Sequence, residues 1–300
     1  MLDDATRAMY PFEGKTLDRG GLRYHYLDEG QGDPVVMLHG NPSWSFYYRN
    51  LVMALKDSHR CIVPDHIGMG LSDKPSDDRY TYTLESRVDD LEALLDHLGL
   101  TENLTLVVHD WGGMIGFAFA SRHPERIKRL VVLNTSAFLL PETKPFPLPL
   151  WMARDTALGA WLVRGVNAFA GAASFVGCTE NPMPMELRNA YIAPYDTWDN
   201  RIATLRFVQD IPLKPGDRAY DLVKSVQDGL ERFASVPMLI CWGDKDFVFD
   251  HHFLAEWERR FPNAEVHRFP KAGHYVLEDA RESVIPLIRE FLNTYRLSPA

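Results

Sequence analysis

Short runs of apolar residues alternate along the chain with longer segments in which apolar residues recur every three or four positions. Apolar runs indicate strands buried on both faces of a sheet, and the longer spacing indicates amphipathic helices. Strands are predicted at residues 22–27, 35–38, 61–64, 104–109, 129–133, 237–242 and 264–269. Helices are predicted at 46–55, 84–98, 114–120, 253–261 and 284–295. Strands separated by helices predict an α/β fold with a mostly parallel central sheet flanked by helices.

The alternation of strands and helices stops after residue 134. Residues 141–149 are rich in proline, and the region up to about residue 229 is rich in Trp, Phe, Met and Ala without strand-like runs. Helices are predicted there at 158–169 and 200–209. We therefore expect a helical cap at residues 137–229, inserted after the strand at 129–133. The two parts of the α/β core are then residues 1–136 and 230–300.

Composition and charge narrow the class of protein. The chain has 300 residues, of which 46% are hydrophobic and 24% charged, as is typical of soluble globular proteins. Its net charge of −9 argues against a nucleic-acid partner. There is no signal-peptide pattern and no run suited to a membrane span, so a cytoplasmic location is expected. The three cysteines lack metal-ligand spacing, and there is no dinucleotide fingerprint, so no cofactor or metal is expected.

The strand at residues 104–109 ends in a turn that gives Asp110 an unusual setting. Trp111 and two glycines follow it, and an apolar helix begins directly after them. The glycines let the helix pack close to the strand, so the carboxylate points away from the sheet at the helix N-terminus. This is the geometry of a nucleophile elbow with Asp in place of Ser, although such an Asp could instead cap the helix. Val108 stands where the usual pattern has glycine, so that pattern is half met.

Two further polar residues follow later strands. Asp246 follows the strand at 237–242 and His274 follows the last strand, and functional groups gather outside the carboxyl ends of parallel strands. Nucleophile, acid and histidine occur in this order in hydrolases of similar layout. An ionised Asp110 needs no base to attack carbon, and His274, oriented by Asp246, would activate the water that breaks the resulting ester. Asp244, in the same loop, is the alternative acid.

Two hydrogen-bond donors lie beside the predicted nucleophile. Trp111 follows it and carries an indole N–H, and Asn41 lies in the turn after the strand at 35–38. Their side chains could stabilise a leaving group, and their backbone N–H groups could form an oxyanion hole. Packing and turn formation are their alternative roles. His39 and His109 are interpreted as structural.

Five motifs resemble those of the haloalkane dehalogenases in the α/β-hydrolase superfamily. They are Leu38-His-Gly-Asn-Pro-Ser-Trp-Ser45, Asp65-His-Ile-Gly-Met-Gly-Leu-Ser-Asp-Lys-Pro75, His109-Asp-Trp-Gly112, Gly243-Asp-Lys-Asp246 and Gly273-His274. The resemblance covers about residues 20–135 and 235–295, and it implies an α/β-hydrolase fold with an Asp-His-Asp triad. Epoxide hydrolases share some of these motifs. The pair Asn41 and Trp111 is more selective, because these positions hold the halide in dehalogenases.

The segments at 191–212 and 247–253 look like those of bacterial olefin-biosynthesis enzymes that are often labelled dehalogenases. Those enzymes are β-lactone decarboxylases, which convert a long-chain cis-β-lactone into an alkene and carbon dioxide. The resemblance implies that Asp110 attacks the lactone ring while Asn41 and Trp111 stabilise oxygen instead of halide. It also implies thiolase-like, ligase and reductase enzymes of olefin biosynthesis as partners.

The cap residues independently favour an apolar substrate. Large aromatic side chains are predicted to line the pocket, although packing within the cap would also explain them. They are Trp151, Trp161, Phe169 and Phe175. Haloalkane dehalogenase activity is the runner-up prediction, with the same catalytic residues.

Two other functions stay open. An epoxide hydrolase would need two cap tyrosines aimed at the epoxide oxygen, and Tyr191, Tyr195 and Tyr220 are available. A binding protein without turnover is disfavoured, because it would have little reason to keep Asp110, Asp246 and His274 together.

Overall fold

One mixed sheet forms the centre of the computed structural model, which describes residues 2–297. Its strands are β1 Lys15–Asp18, β2 Arg23–Glu29, β3 Asp33–Leu38, β4 His59–Pro64, β5 Leu104–Asp110, β6 Ile127–Thr135, β7 Met238–Gly243 and β8 Glu265–Phe269. Their order across the sheet is β1-β2-β4-β3-β5-β6-β7-β8. The pairs β1–β2 and β2–β4 are antiparallel, and the other pairs are parallel. The predicted, mostly parallel sheet is confirmed.

Helices cover both faces of the sheet and fill the region between β6 and β7. They are α1 Asp4–Met9, α2 Arg49–Leu55, α3 Leu84–His97, α4 Trp111–Arg122, α5 Leu148–Asp155, α6 Ala157–Gly165, α7 Ala168–Val176, α8 Met185–Ile192, α9 Ile202–Gln209, α10 Tyr220–Asp228, α11 His251–Arg260, α12 Val276–Asp279 and α13 Arg281–Thr294. Helices α5 to α10 are those between β6 and β7. Within residues 2–297, none of them combines the length and apolar character needed to cross a membrane.

The central strands are apolar because both of their faces are covered. Every residue of β5 is buried. Leu106 and Val108 pack in one hydrophobic cluster, whereas Val107 between them packs in a second cluster. This follows from the two-residue repeat of a strand, which turns successive side chains to opposite faces. Because β5, β6, β7 and β8 are parallel, their carboxyl ends lie at one edge of the sheet.

The structure differs most from the predicted elements in the cap. The prediction of one helix over 158–169 is wrong, because α6 ends at Gly165 and α7 begins at Ala168. Asn167 between them has a φ of +54°, a left-handed conformation that ends the first helix. The helix predicted at 200–209 begins as a 3-10 turn at Asp199–Arg201 and continues as α9. The short exposed strand β1, the cap helices α5, α8 and α10, and the short helices α1 and α12 were not predicted.

Candidate active site

Asp110 stands at the sharp turn between β5 and α4. Its backbone has φ +52° and ψ −127°, a sparsely populated conformation, and its side chain makes no capping hydrogen bond to the helix. Instead, the backbone N–H of Asn41 donates to Asp110 Oδ1 at 2.6 Å. The helix-capping alternative is therefore not realised, and the carboxylate faces the turn after β3.

The approach of Asn41 to the carboxylate depends on a glycine. A Cβ atom on Gly40 would lie 1.9 Å from Asp110 Oδ1, which no side chain allows. Behind the elbow, the Thr135 hydroxyl donates a hydrogen bond to the backbone carbonyl of Asp110. The turn after β3 and the end of β6 thus hold Asp110 from two sides.

His274 lies between Asp246 and Asp110. His274 Nδ1 lies 2.7 Å from Asp246 Oδ2, and its Nε2 lies 3.7 Å from Asp110 Oδ2. Asp244, the alternative acid, pairs with Arg268 at 3.1 Å instead. The structure therefore brings the three predicted triad residues together and leaves Asp244 outside.

Burial and charge shift the pKa values of the two groups that face each other. Burial raises the pKa of Asp110 above its usual value, although the charge of His274 and hydrogen bonds from the Asn41 and Trp111 backbones oppose the rise. Burial lowers the pKa of His274, but the charge and hydrogen bond of Asp246 and the charge of Asp110 outweigh it, so this pKa is raised. Each group thus favours the charged form of the other.

Asn134 is a residue of the site whose role the sequence did not reveal. Its Nδ2 donates to Asp246 Oδ2 at 3.1 Å and to the Gly243 carbonyl at 3.0 Å. Its Oδ1 accepts the Gly243 N–H at 2.8 Å. Asn134 thereby fixes the carboxylate that orients His274. Its position at the end of a buried strand was the available signal.

The side chains of Asn41 and Trp111 both line a cavity above Asp110. Asn41 Nδ2 donates to the Thr204 carbonyl at 3.0 Å, which fixes the orientation of the amide and leaves its second N–H. Within residues 2–297, the Trp111 indole N–H has no hydrogen-bond acceptor. Two N–H groups are therefore available next to the carboxylate.

His39 and His109 have structural contacts. His109 Nε2 donates to the His274 carbonyl at 2.9 Å, and its ring stacks on Tyr47. Burial, with the charge of His274, lowers the pKa of His109 well below its usual value. His39 Nδ1 donates to the Gly40 carbonyl at 2.8 Å. Both histidines support the turns that hold the site.

The cavity lies between the cap and the core and has a volume of about 320 Å³. Phe169 lines it, together with apolar residues that include Met114, Phe138, Leu140, Leu150, Leu162, Val163, Ile211 and Phe249. Among the described lining residues, the polar groups are those of Asn41, Asp110, Trp111 and His274. An apolar substrate with one polar reacting group fits such a lining.

The prediction that Trp151, Trp161 and Phe175 line the pocket is wrong. These side chains are 47%, 51% and 63% exposed on the outer surface of the cap. Their helix neighbours Leu150 and Leu162 line the cavity instead. Adjacent residues of a helix point about 100° apart, so the composition of the cap could not decide which residues face inward.

Two of the three tyrosines considered for an epoxide hydrolase have other partners. The Tyr191 hydroxyl donates to Glu278 at 2.6 Å, and the Tyr195 hydroxyl donates to the Ser43 carbonyl at 3.1 Å. No tyrosine lines the cavity in the described part of the chain, so the paired donors of an epoxide hydrolase are not found there.

Metal-ligating side chains come together at a different place. In residues 2–297, the group with suitable spacing is Asp250, His251 and His252 at the start of α11. Lys144 Nζ pairs with Asp250 at 2.7 Å, and the positive charge of this ammonium group repels a metal ion.

The sequence and the structure of this chain are similar to those of known proteins. Residues 33–280 match the family model for the alpha/beta hydrolase fold. A cis-3-alkyl-4-alkyloxetan-2-one decarboxylase of Shewanella oneidensis is 63% identical over 95% of this chain and 89% of its own length. Its namesake of Xanthomonas campestris pv. campestris is 55% identical over 94% of this chain and 97% of its own length. The crystal structure of the haloalkane dehalogenase DatA from Agrobacterium tumefaciens C58 superposes with a TM-score of 0.84 at 25% identity, covering 94% of this chain and 97% of that one.

Proposed function

The chain belongs to the alpha/beta hydrolase fold family of enzymes, and on that premise we propose that it decarboxylates cis-β-lactones with Asp110 as nucleophile. The observation that carries the proposal is the Asp110 carboxylate in a largely apolar cavity, beside the free indole N–H of Trp111. The names of the two similar decarboxylases support the same substrate class, a four-membered lactone with an alkyl group on each of two ring carbons.

The first step opens the lactone ring. A carboxylate oxygen of Asp110 bonds to C4, the alkyl-bearing ring carbon next to the ring oxygen, while the bond between C4 and that oxygen breaks. The freed oxygen becomes part of a carboxylate, and the substrate is now an ester of Asp110. The N–H groups of Trp111 and Asn41 stabilise the negative charge on this oxygen as it develops.

The second step releases both products. The bond between C3 and the new carboxylate breaks to give carbon dioxide, and its electron pair forms the double bond between C3 and C4. The bond between C4 and Asp110 breaks at the same time, which returns Asp110 as a carboxylate. Atoms and electrons balance without water or an external base.

His274 stabilises the charge that returns to Asp110. Its Nε2 lies 3.7 Å from Asp110 Oδ2, and Asp246 holds the ring from the other side. Inversion at C4 in the first step places the ester oxygen opposite the carboxylate. Departure of the two groups from opposite faces then keeps the two alkyl groups on the same side, so a cis-lactone gives a cis-alkene.

A haloalkane dehalogenase is the second candidate, and the fit to the DatA structure favours it. In that reaction Asp110 displaces halide, and His274 acts as base on the water that hydrolyses the ester. The same two N–H groups would hold the halide. The two candidates differ in how the ester breaks, by fragmentation in one case and by water in the other.

The experiment that tests the proposal offers a cis-3,4-dialkyl β-lactone and a 1-bromoalkane to the purified protein in separate reactions. Gas chromatography follows the alkene, and a halide assay follows bromide. We expect cis-alkene from the lactone at a rate well above the release of bromide. Bromide release without alkene would overturn the proposal in favour of the dehalogenase. Partner enzymes of olefin biosynthesis and a cytoplasmic location stay predictions.

A further inference from the structure

A buried carboxylate at the end of α12 joins the cap to the loop that carries His274. Asp279 is 1% exposed, and its side chain accepts hydrogen bonds from four backbone N–H groups. The donors are Thr179 at 2.6 Å, Glu180 at 3.0 Å, Asn181 at 2.5 Å and Gly273 at 2.7 Å. Three of them lie in the cap segment at residues 177–181, called the strap below. The fourth directly precedes His274.

The side chain of Asp279 has no ion-pair partner within the described residues. A carboxylate has about four lone-pair sites, so backbone donors use its whole capacity to accept hydrogen bonds. A buried charge is costly unless it is fully hydrogen-bonded. The position of Asp279 therefore depends on all four donors staying in place, and the donors are in turn held together by it.

The strap also lies directly against the His274 loop. The Tyr275 N–H donates to the Gly177 carbonyl at 2.9 Å. A Cβ atom on Gly273 would lie 2.7 Å from the same carbonyl oxygen, so the two backbones meet where no side chain fits. The Thr179 hydroxyl donates to the Lys271 carbonyl. Strap and loop form one packed unit.

Both parts of this unit, the strap and the His274 loop, line the cavity. Gly177 at the start of the strap lines the cavity, as do Ala173 and Val176 in the helix before it. His274 lines the cavity from the loop side. A shift of the strap relative to the loop would therefore change the wall of the cavity and the placement of the imidazole together.

We propose that Asp279 is a positioning residue that keeps the strap of the cap in register with His274. The carboxylate contacts neither the cavity nor Asp110, so it acts through the Gly273 backbone on one side and the strap on the other. This role rests on the proposed function for its effect on turnover, because the reaction uses both the apolar wall and His274.

The test variant is Asp279→Asn. An NH2 donor then stands where one acceptor oxygen stood, so some of the four backbone N–H groups lose their acceptor. We expect hydrogen exchange to speed up in two separate segments, residues 177–181 and 271–276, while the rest of the fold stays protected. With the cis-β-lactone, kcat should fall about tenfold and KM should rise, because small displacements of catalytic groups are costly.

The matched control is Asp90→Asn. Asp90 lies on α3 and is also buried, and neither it nor its partners Arg19 and Tyr80 line the cavity. This variant should leave kcat, KM and exchange in the two segments as they are in the parent protein. The comparison separates the general effect of losing a buried carboxylate from the specific effect of losing that of Asp279.

Asn181→Ala provides a milder variant if Asp279→Asn does not fold. Asn181 is exposed, and its Nδ2 donates to the Asp279 carbonyl at 2.7 Å. Its loss should speed exchange in residues 271–276 as well as in the strap, although only the strap has been changed. Faster exchange in the strap alone, or unchanged kcat and KM in a folded Asp279→Asn, would overturn the proposal. Exchange needs no substrate, so a protein that forms no alkene would refute the proposed function and leave this test valid.

Discussion

At the scale of single residues, the groups around Asp110 stabilise its charged form against the burial that raises its pKa. The backbone N–H groups of Asn41 and Trp111 stabilise its carboxylate, and His274 adds a charge nearby. When the carboxylate becomes an ester, the same N–H groups can hydrogen-bond to the ester carbonyl, so the elbow need not rearrange. Preorganised donors of this kind are effective because the cavity around them is apolar.

The charge of Asp246 controls the protonation of His274. Burial lowers the pKa of His274, and the charge and hydrogen bond of Asp246 are the main effects that raise it again. We expect Asp246→Asn to move the titration midpoint of His274 to lower pH, because burial is then opposed mainly by Asp110. Nuclear magnetic resonance of labelled histidine measures this midpoint directly. Asp244→Asn, two residues away, should leave it unchanged, and an unchanged midpoint in Asp246→Asn would contradict the assigned cause.

The sequence predicts the proposed catalytic residues better than it predicts Asn134, which holds Asp246 in place. Asp110 and Asp246 each follow a buried apolar strand and His274 follows the last strand, so a linear pattern locates them. Asn134 contacts Asp246 only because β6 and β7 are neighbours in the sheet. The order of strands across a sheet is a property of tertiary packing, and the sequence pattern carries no direct signal of it.

At the scale of elements, the turn from β5 into α4 leaves no room for a side chain at the position of Gly112. A Cβ atom on Gly112 would lie 1.9 Å from the Leu38 carbonyl oxygen of the neighbouring strand. The pair of glycines after Trp111 was readable as a close-packed turn, and the structure gives the contact that requires it. By contrast, the break at Asn167 was missed, because the apolar residues on either side keep helical spacing across it.

Two glycine substitutions test the packing of these helices. Gly112→Ala should lower the free energy of unfolding by about 1–3 kcal/mol, because the clash is with rigid backbone. Gly171→Ala, in α7, meets nothing within 4 Å and should raise the free energy by about 0.5–1 kcal/mol, since alanine favours helix. Urea denaturation of both variants measures the difference. Equal stabilities would show that the elbow is less tightly packed than described.

At the scale of the whole molecule, the substrate space is formed where the cap meets the core. The α/β core is predictable because its strands and helices have different hydrophobic periods. The cap is less predictable because its helices carry apolar residues on both the inner and the outer face. Trp161 and Leu162 illustrate this, since the larger residue is exposed and its neighbour lines the cavity.

That pair of neighbours also provides a test of the cavity. Leu162→Trp should fill part of the space and lower kcat/KM for the longest alkyl chains by about tenfold relative to short ones. Trp161→Ala should leave the preference for chain length unchanged, because the indole lies outside. Rates with a series of cis-β-lactones of increasing chain length measure the preference. A change of preference in Trp161→Ala, with none in Leu162→Trp, would place the substrate elsewhere.

We expect the Asp110 carboxylate to be the group that opens the lactone ring. The most direct measurement compares cis-alkene formation from one cis-β-lactone by the parent protein and by Asp110→Ala, with circular dichroism to establish that both are folded. We expect cis-alkene from the parent protein and only the uncatalysed background from Asp110→Ala. Alkene formation by Asp110→Ala at the parent rate would contradict it.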